Sequence, residues 1–312
     1  GDIEKGNSSF IFLNSTADGN DQDVAVDGSL NLGVGGVVVN GATANTSNLS
    51  VTGDISSAPI TLDESNSAIA TLTLNGSGDQ AVGATIDGNA TGDGTIIVNN
   101  DGAASTTTFN DKIGFIGSAT NVGALTVQDG DTDLAADARF TGDVTVQQDT
   151  LTNKSTFTLT ADNITGAGSF TNDGTATVNA NVEDATVDNN ASASLTVNGD
   201  VVGAADVTND GTLSLTDLGG SATLTNNSGT TTITGDIATG STTTITGGTL
   251  DVAGNILATA GDINNTGGAL AIEGDISSVS SDVTLGSSGS LTLDNTGSEA
   301  QEVNTAINGV NN

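Results

Sequence analysis

Residues 170–182 read FTNDGTATVNANV. The same phrase returns at 207–218 as VTNDGTLSLTDL, at 224–237 as LTNNSGTTTITGDI and at 263–276 as INNTGGALAIEGDI. Each copy runs through an apolar residue, Thr-Asn or Asn-Asn, a glycine-containing turn, alternating apolar positions, then Gly-Asp or Asn and a last apolar residue. Those closing residues are Ile164, Val182, Val201, Leu218, Ile237, Ile256 and Ile276, and the intervals between them are 18, 19, 17, 19, 19 and 20. A period near 19 built from short β-type runs marks a stacked solenoid.

One repeat can be read physically. Leu213-Ser214-Leu215 and Leu250-Asp251-Val252 place apolar side chains on one face and polar ones on the other, the pattern of a half-buried strand. Three or so such strands, joined at Gly, Asn and Asp corners, predict one coil. Each coil then pairs with the next at about 4.8 Å, stacking inward residues into apolar columns. Corners need positive φ, which these three residue types tolerate best. Asn172, Asn189, Asn209, Asn226 and Asn264 fall at matching places and predict an asparagine ladder from coil to coil. The expected fold is all-β, a parallel β-solenoid of about 19 residues per coil.

Composition narrows the function. The 312 residues include 43 Gly and one Pro, and no Cys, His, Met, Trp or Tyr. All seven Phe lie at or before Phe170, which fits a thin core of Val, Ile, Leu and Ala. Four Lys and Arg stand against 38 Asp and Glu, a formal charge of −34. Nucleic acid and anionic membrane are therefore not expected partners, since both are bound through Lys and Arg. No run of about 18 apolar residues predicts a membrane helix. Strict alternation argues against disorder despite the charge.

Outward from the regular repeats, three regions are expected. Residues 1–20 form an N-terminal strand or assembly segment. Residues 21–297 form a continuous solenoid, looser to about 150 and regular afterwards. Residues 298–312 form a tail or cap, either a short helix carrying Ala300, Val303 and Ile307 or an irregular arm. In the first region Phe10, Ile11, Phe12 and Leu13 make an apolar run expected to cover the first coil or to pair with another subunit.

Between 60 and 127 the phrases Leu72-Thr73-Leu74-Asn75-Gly76, Ile86-Asp87-Gly88, Thr108-Phe109-Asn110 and Ala124-Leu125-Thr126-Val127 recur in looser spacing. Here the sequence resembles the repeat regions of bacterial autotransporter passengers, surface-layer-like autotransporters and filamentous-haemagglutinin-type adhesins. The resemblance covers most of residues 60–300. It implies a right-handed parallel β-helix and an extracellular, cell-surface location. The C-terminal membrane barrel of that pattern is not read within residues 1–312, so the expectation is a processed piece of such a protein or export by another route.

Catalytic chemistry is poorly supplied. Without His or Cys the usual neutral-pH base and soft metal ligands are missing. A paired-carboxylate glycosidase or lyase would need aromatic platforms and basic groups that this chain lacks, so no enzyme is expected. Calcium fits better: Asp129, Asp131, Asp133 and Asp137 place hard oxygen donors at close spacing, with Asp18, Asp21 and Asp23 as a second cluster. The EF-hand pattern fails, because Phe140 stands where its final glutamate would be. Threonine runs at 230–232 and 242–244 raise ice binding as a rival, but the Thr-x-Thr pattern is not evident at one position across coils. The expected function is a self-associating subunit of an extracellular fibre, sheath or surface layer, its partners copies of itself. An adhesin stalk is the alternative.

Overall fold

A computed structural model describes residues 3–4, 11–14, 21–31, 35–42, 45–56, 59–65, 68–101, 105–114, 121–238, 240–257, 260–277, 282–294 and 301–309. Every regular element among them is a β-strand, and every strand pairing is parallel. The fold is the expected parallel β-solenoid. The chain divides into two compact units, residues 1–162 and 163–312. None of the described elements is a helix long and apolar enough to cross a membrane.

The second unit holds the regular repeats. Its first sheet stacks Ser169–Asn172, Thr186–Asn189, Asp206–Asn209, Thr223–Asn226, Thr242–Ile245, Ile263–Asn265, Val283–Leu285 and Ile307–Gly309 in that order. Its second sheet stacks Thr175–Val178, Ser194–Val197, Thr212–Leu215, Thr230–Ile233, Thr249–Val252, Ala269–Ile272 and Ser290–Leu293. The third side of the coil is hardly a sheet at all. Two-residue strands at Ile164, Val182 and Val201 give way to single bridges at Leu218, Ile237, Ile256, Ile276 and Val303. The seven landmarks read from the sequence therefore form one continuous column. Each is essentially inaccessible to solvent.

The first unit has wider coils. Ile3, Leu30, Ile55, Val82, Phe109, Leu134 and Asn153 are register partners in turn, so the sequence intervals from coil to coil are 27, 25, 27, 27, 25 and 19. The added length lies on two sides: Val37–Ala42 and Ile60–Ser65 have 6 residues each, and Thr46–Val51, Asp93–Asn99 and Val122–Asp129 have 6, 7 and 8. The looser spacing before 150 thus reflects longer strands on those sides, while the first sheet begins with two-residue strands at Ile3–Glu4, Leu30–Asn31 and Ile55–Ser56.

The chain's two ends join the stack. Ile3–Glu4 pairs with Leu30–Asn31, and Ile11–Asn14 pairs with Val37–Asn40 of the same chain. Residues 11–13 are thus a rung of the first coil, while Phe10 lies outside the described residues. At the other end Val303 bridges Ile276, and Ile307–Gly309 pairs with Val283–Leu285. The described part of the tail is a last coil rather than a helix. It leaves Leu293 and Ile307 exposed.

Inside, alternation sets the columns. In the first sheet of the second unit Val187, Val207, Leu224, Thr243 and Ile263 succeed one another inward. Thr243 is fully buried, and among the described residues its hydroxyl has no hydrogen-bond partner. A buried hydroxyl without a partner costs roughly 1–3 kcal/mol, so Thr243→Val should raise unfolding stability by about 1 kcal/mol. Thr231 is the contrasting case: its Oγ1 donates to Asn226 Oδ1 at 3.0 Å and accepts from Asn209 Nδ2 at 2.9 Å. Thr231→Val should destabilise. Denaturant midpoints of the two variants moving the same way would refute this reading.

Candidate functional site

The second unit's polar interior is an asparagine ladder. Each Thr-Asn strand end turns its Asn inward, where the side chain meets its own glycine corner and the next coil. Asn172 Nδ2 donates to Asn189 Oδ1 at 2.9 Å, Asn189 Nδ2 to Asn209 Oδ1 at 2.7 Å, and Asn209 Nδ2 to Asn226 Oδ1 at 2.9 Å. The same Nδ2 groups also reach the carbonyls of Ser194, Thr212 and Thr230 one coil on. Ile245 interrupts the column, and Asn226 Nδ2 turns instead to the carbonyls of Gly247 and Thr249. The column resumes with Asn265, not Asn264. Ile263 faces inward, so alternation sends Asn264 out beside Thr244 and Asn265 in. The glycines that follow are sterically required: at Gly248, with φ of 68°, a Cβ would run into the Gly229 carbonyl.

A second ladder runs along the corner before the landmark column. The residue preceding each landmark is Asn or Asp in every case: Asn163, Asn181, Asp200, Asp217, Asp236, Asn255 and Asp275. Asn163 Oδ1 accepts the Asn181 N–H at 2.8 Å, and Asn181 Oδ1 accepts that of Asp200 at 2.9 Å. Asp217 Oδ1 accepts from Asp236, Asp236 Oδ1 from Asn255, and Asn255 Oδ1 from Asp275, at 2.6, 2.6 and 2.8 Å. The Gly-Asp signal, readable as turn chemistry, is thus a turn-to-turn hydrogen-bond device. Asp54, Asp79 and Asp131 do the same work in the first unit for Ala81, Thr106 and Thr150.

That geometry disperses the expected calcium ligands. Gly130, with φ of 82°, turns the chain between Val122–Asp129 and Asp131–Leu134, which belong to different sheets. Asp129 Oδ1 accepts the Gly130 N–H at 3.0 Å, and Asp133 Oδ1 lies 3.0 Å from Lys154 Nζ. Asp137 Oδ1 accepts the Thr158 N–H at 2.9 Å, and its Oδ2 lies 3.8 Å from Lys112 Nζ. The segment is two strands and a corner rather than a flexible loop. Among the described residues no three acidic, His or Cys side chains are placed to hold a metal ion. Asp21 caps Thr46 at 2.8 Å, and Asp18 lies outside the described residues.

Two carboxyls are displaced from their ordinary pKa values. Burial pushes Glu64 up, opposed by hydrogen bonds from the Ala70 and Gly94 N–H groups and reinforced by Asp93. Glu64 borders a shallow cleft of about 310 Å³ with Gly92, Gly94, Gly123 and Gly142. Those glycines are needed for backbone packing: a Cβ on Gly123 would meet the Gly94 carbonyl at 2.7 Å, and one on Gly142 the Gly123 carbonyl at 2.7 Å. Asp188 is raised by partial burial and then by Asp206 and Asp210. Its folded-state pKa exceeds the unfolded one, so the ionised form opposes folding above the folded pKa, and both states are protonated below the ordinary aspartate value. Asp188→Asn should therefore raise the melting temperature at neutral pH and leave it unchanged in strong acid. An equal gain at both pH values would contradict the sign.

Register also exposes a pattern hidden in the linear spacing. On the outer face of the second sheet, Thr175, Ser194, Thr212, Thr230 and Thr249 form one row. Thr177, Thr196, Ser214 and Thr232 form the row beside it, followed by Asp251. Strict Thr-x-Thr is present in only two of these strands, as the sequence-based expectation has it, but a hydroxyl-x-hydroxyl pattern is held at one position over four. Serine replacements and coil lengths that vary by a residue concealed it.

Comparison with protein-family models, with curated proteins and with solved structures finds no match for this chain. Fold and side-chain geometry define the class: an acidic parallel β-solenoid whose polar groups mostly link one coil to the next.

Proposed function

We propose that the chain is a non-catalytic structural protein of the cell surface, a self-associating subunit of a fibre, sheath or surface layer. The observation that carries this reading is how the polar side chains are used. Asparagines and aspartates, the groups from which a binding or catalytic centre would be made, are spread along the coils as acceptors for the next coil's N–H groups. A construction repeated in this way serves length and persistence. The resemblance of residues 60–300 to autotransporter passengers and haemagglutinin-type adhesins supports the surface location. It also keeps the adhesin stalk as the second reading.

Negative-stain images of the purified chain, recorded at low and physiological ionic strength with and without calcium, test the assignment. Filaments or ordered sheets are expected. The calcium arm matters because close contacts between chains of charge −34 bring carboxylates together, and salt or a bridging cation relieves that repulsion. Unassociated particles under all conditions would overturn self-association and favour the stalk.

A further inference from the structure

We propose that the outer face of the second unit's second sheet, the two hydroxyl rows from Thr175 to Thr232, binds the surface of ice. Three features point there. The first is lattice geometry. Neighbouring strands lie about 4.8 Å apart and alternate residues about 6.6 Å apart along a strand. The rows therefore form a near-rectangular grid with repeats close to oxygen–oxygen repeats in hexagonal ice.

The second feature is the chemistry of the grid points. A threonine hydroxyl donates one hydrogen bond and accepts others, as a lattice water does. Its β-branch restricts χ1, so the hydroxyl and methyl are held in place rather than averaged over rotamers. The backing is rigid: Ala176, Leu195 and Leu213 on the inner side are buried, with the bonded Thr231 next in their column. Ordered hydroxyls alternating with methyls can hold surface water in an ice-like arrangement before the crystal is met.

The third feature is charge. Seventeen acidic residues and no Lys or Arg lie in residues 163–312. Yet all eight outward positions of Thr175–Val178, Ser194–Val197, Thr212–Leu215 and Thr230–Ile233 are Ser or Thr. The first sheet's outer face, otherwise similar, carries Asp188 and Asp206. A carboxylate orients water around itself and disrupts a lattice match. The charge-free patch is the surface on which this acidic unit can meet neutral, ordered water.

Thermal hysteresis and ice-recrystallisation assays on the purified full chain test the proposal. The wild type should show both activities. Thr196→Lys, in the middle of the grid, should abolish them while circular dichroism and melting temperature stay at wild-type values. Ser214→Lys serves as a second grid variant should Thr196→Lys fold poorly. Thr225→Lys, outward on the first sheet, should leave both activities intact. Absence of hysteresis in the wild type overturns the proposal, as does equal loss from Thr225→Lys. Sedimentation of the same samples separates ice from self-association: a grid variant that dissociates an oligomer, without ice activity in the wild type, makes this face a contact between copies and ends the ice assignment. Filaments in the micrographs without hysteresis would leave the structural role standing and remove only this inference.

Discussion

Ile237→Asp should unfold the middle of the second unit. Ile237 is completely buried and bridges Leu218 on one side and Ile256 on the other. This side of the coil is one residue wide at that level, so there is no parallel strand to carry the load. An ionised carboxylate there has no cation to pair with, because all four Lys and Arg belong to the first unit, ahead of Asn163. Removing one partner of a buried pair costs about 3–5 kcal/mol, and a charge with no partner at all should cost at least as much. Ile237→Val, which removes one methylene, should cost only about 1 kcal/mol. Urea unfolding gives the magnitude, and hydrogen exchange gives the location. Protection should be lost first in the coils bearing Leu218 and Ile256. A shift no larger than that of the valine variant would mean the column is not the unit's core.

The second large effect is expected at Asn209. Its Nδ2 serves Asn226 Oδ1, Thr231 Oγ1 and the Gly211 and Thr230 carbonyls, while its Oδ1 accepts from Asn189 Nδ2 and the Gly211 N–H. Asn209→Ala removes hydrogen bonds from groups on three coils and opens a cavity between them, although Asn226 Oδ1, Asn189 Nδ2 and the Gly211 N–H each keep one other partner. At about 1 kcal/mol for each hydrogen bond lost, the total should reach several kcal/mol. Asn209→Asp keeps the shape but replaces the donors with an acceptor facing other acceptors, and adds a buried charge. It should be the worse variant at neutral pH and should recover partly in acid, where the protonated carboxyl again donates one hydrogen bond. Chemical denaturation of both variants across pH checks this. Identical, pH-independent losses would mean that Asn209 acts only by filling space.

The ladder and the landmark column were legible in the sequence for the same reason: stacking forces like residues onto like positions. Asn172, Asn209 and Asn226 recur with the Thr-Asn phrase, Asn189 takes the same place after Asp188, and Ile164 through Ile276 recur with the closing motif. Legibility failed where two neighbours were chemically alike. In Ile263-Asn264-Asn265 only the inward orientation of Ile263 decides which Asn enters the interior. Register adds what a local cluster does not show by itself. Asp129 and Asp131 are close in sequence but leave the Gly130 corner in different sheets, and each is engaged by its own neighbouring backbone. For Ile11-Phe12-Leu13 the choice between covering the first coil and pairing with another subunit stayed open in the sequence, because its partner, Val37-Val38-Val39, stands one wide coil further along the chain, beyond the reach of the shorter repeat that the regular phrases reveal. The hydroxyl rows needed the register of five strands before they could be seen.

The narrow third side of the second unit bears on how such a chain yields to tension. Each coil is joined to the next by short rungs that load one after another when an end is drawn away, as a zipper opens, rather than together as in a sheared sheet. Peeling one coil frees the stretch between successive landmarks, about 60 Å of extended chain. Because coils interact only with their nearest neighbours, the next remains closed until its turn comes. A pulled chain would lengthen in small, nearly equal steps, dissipating work at each one while the remaining coils keep their register.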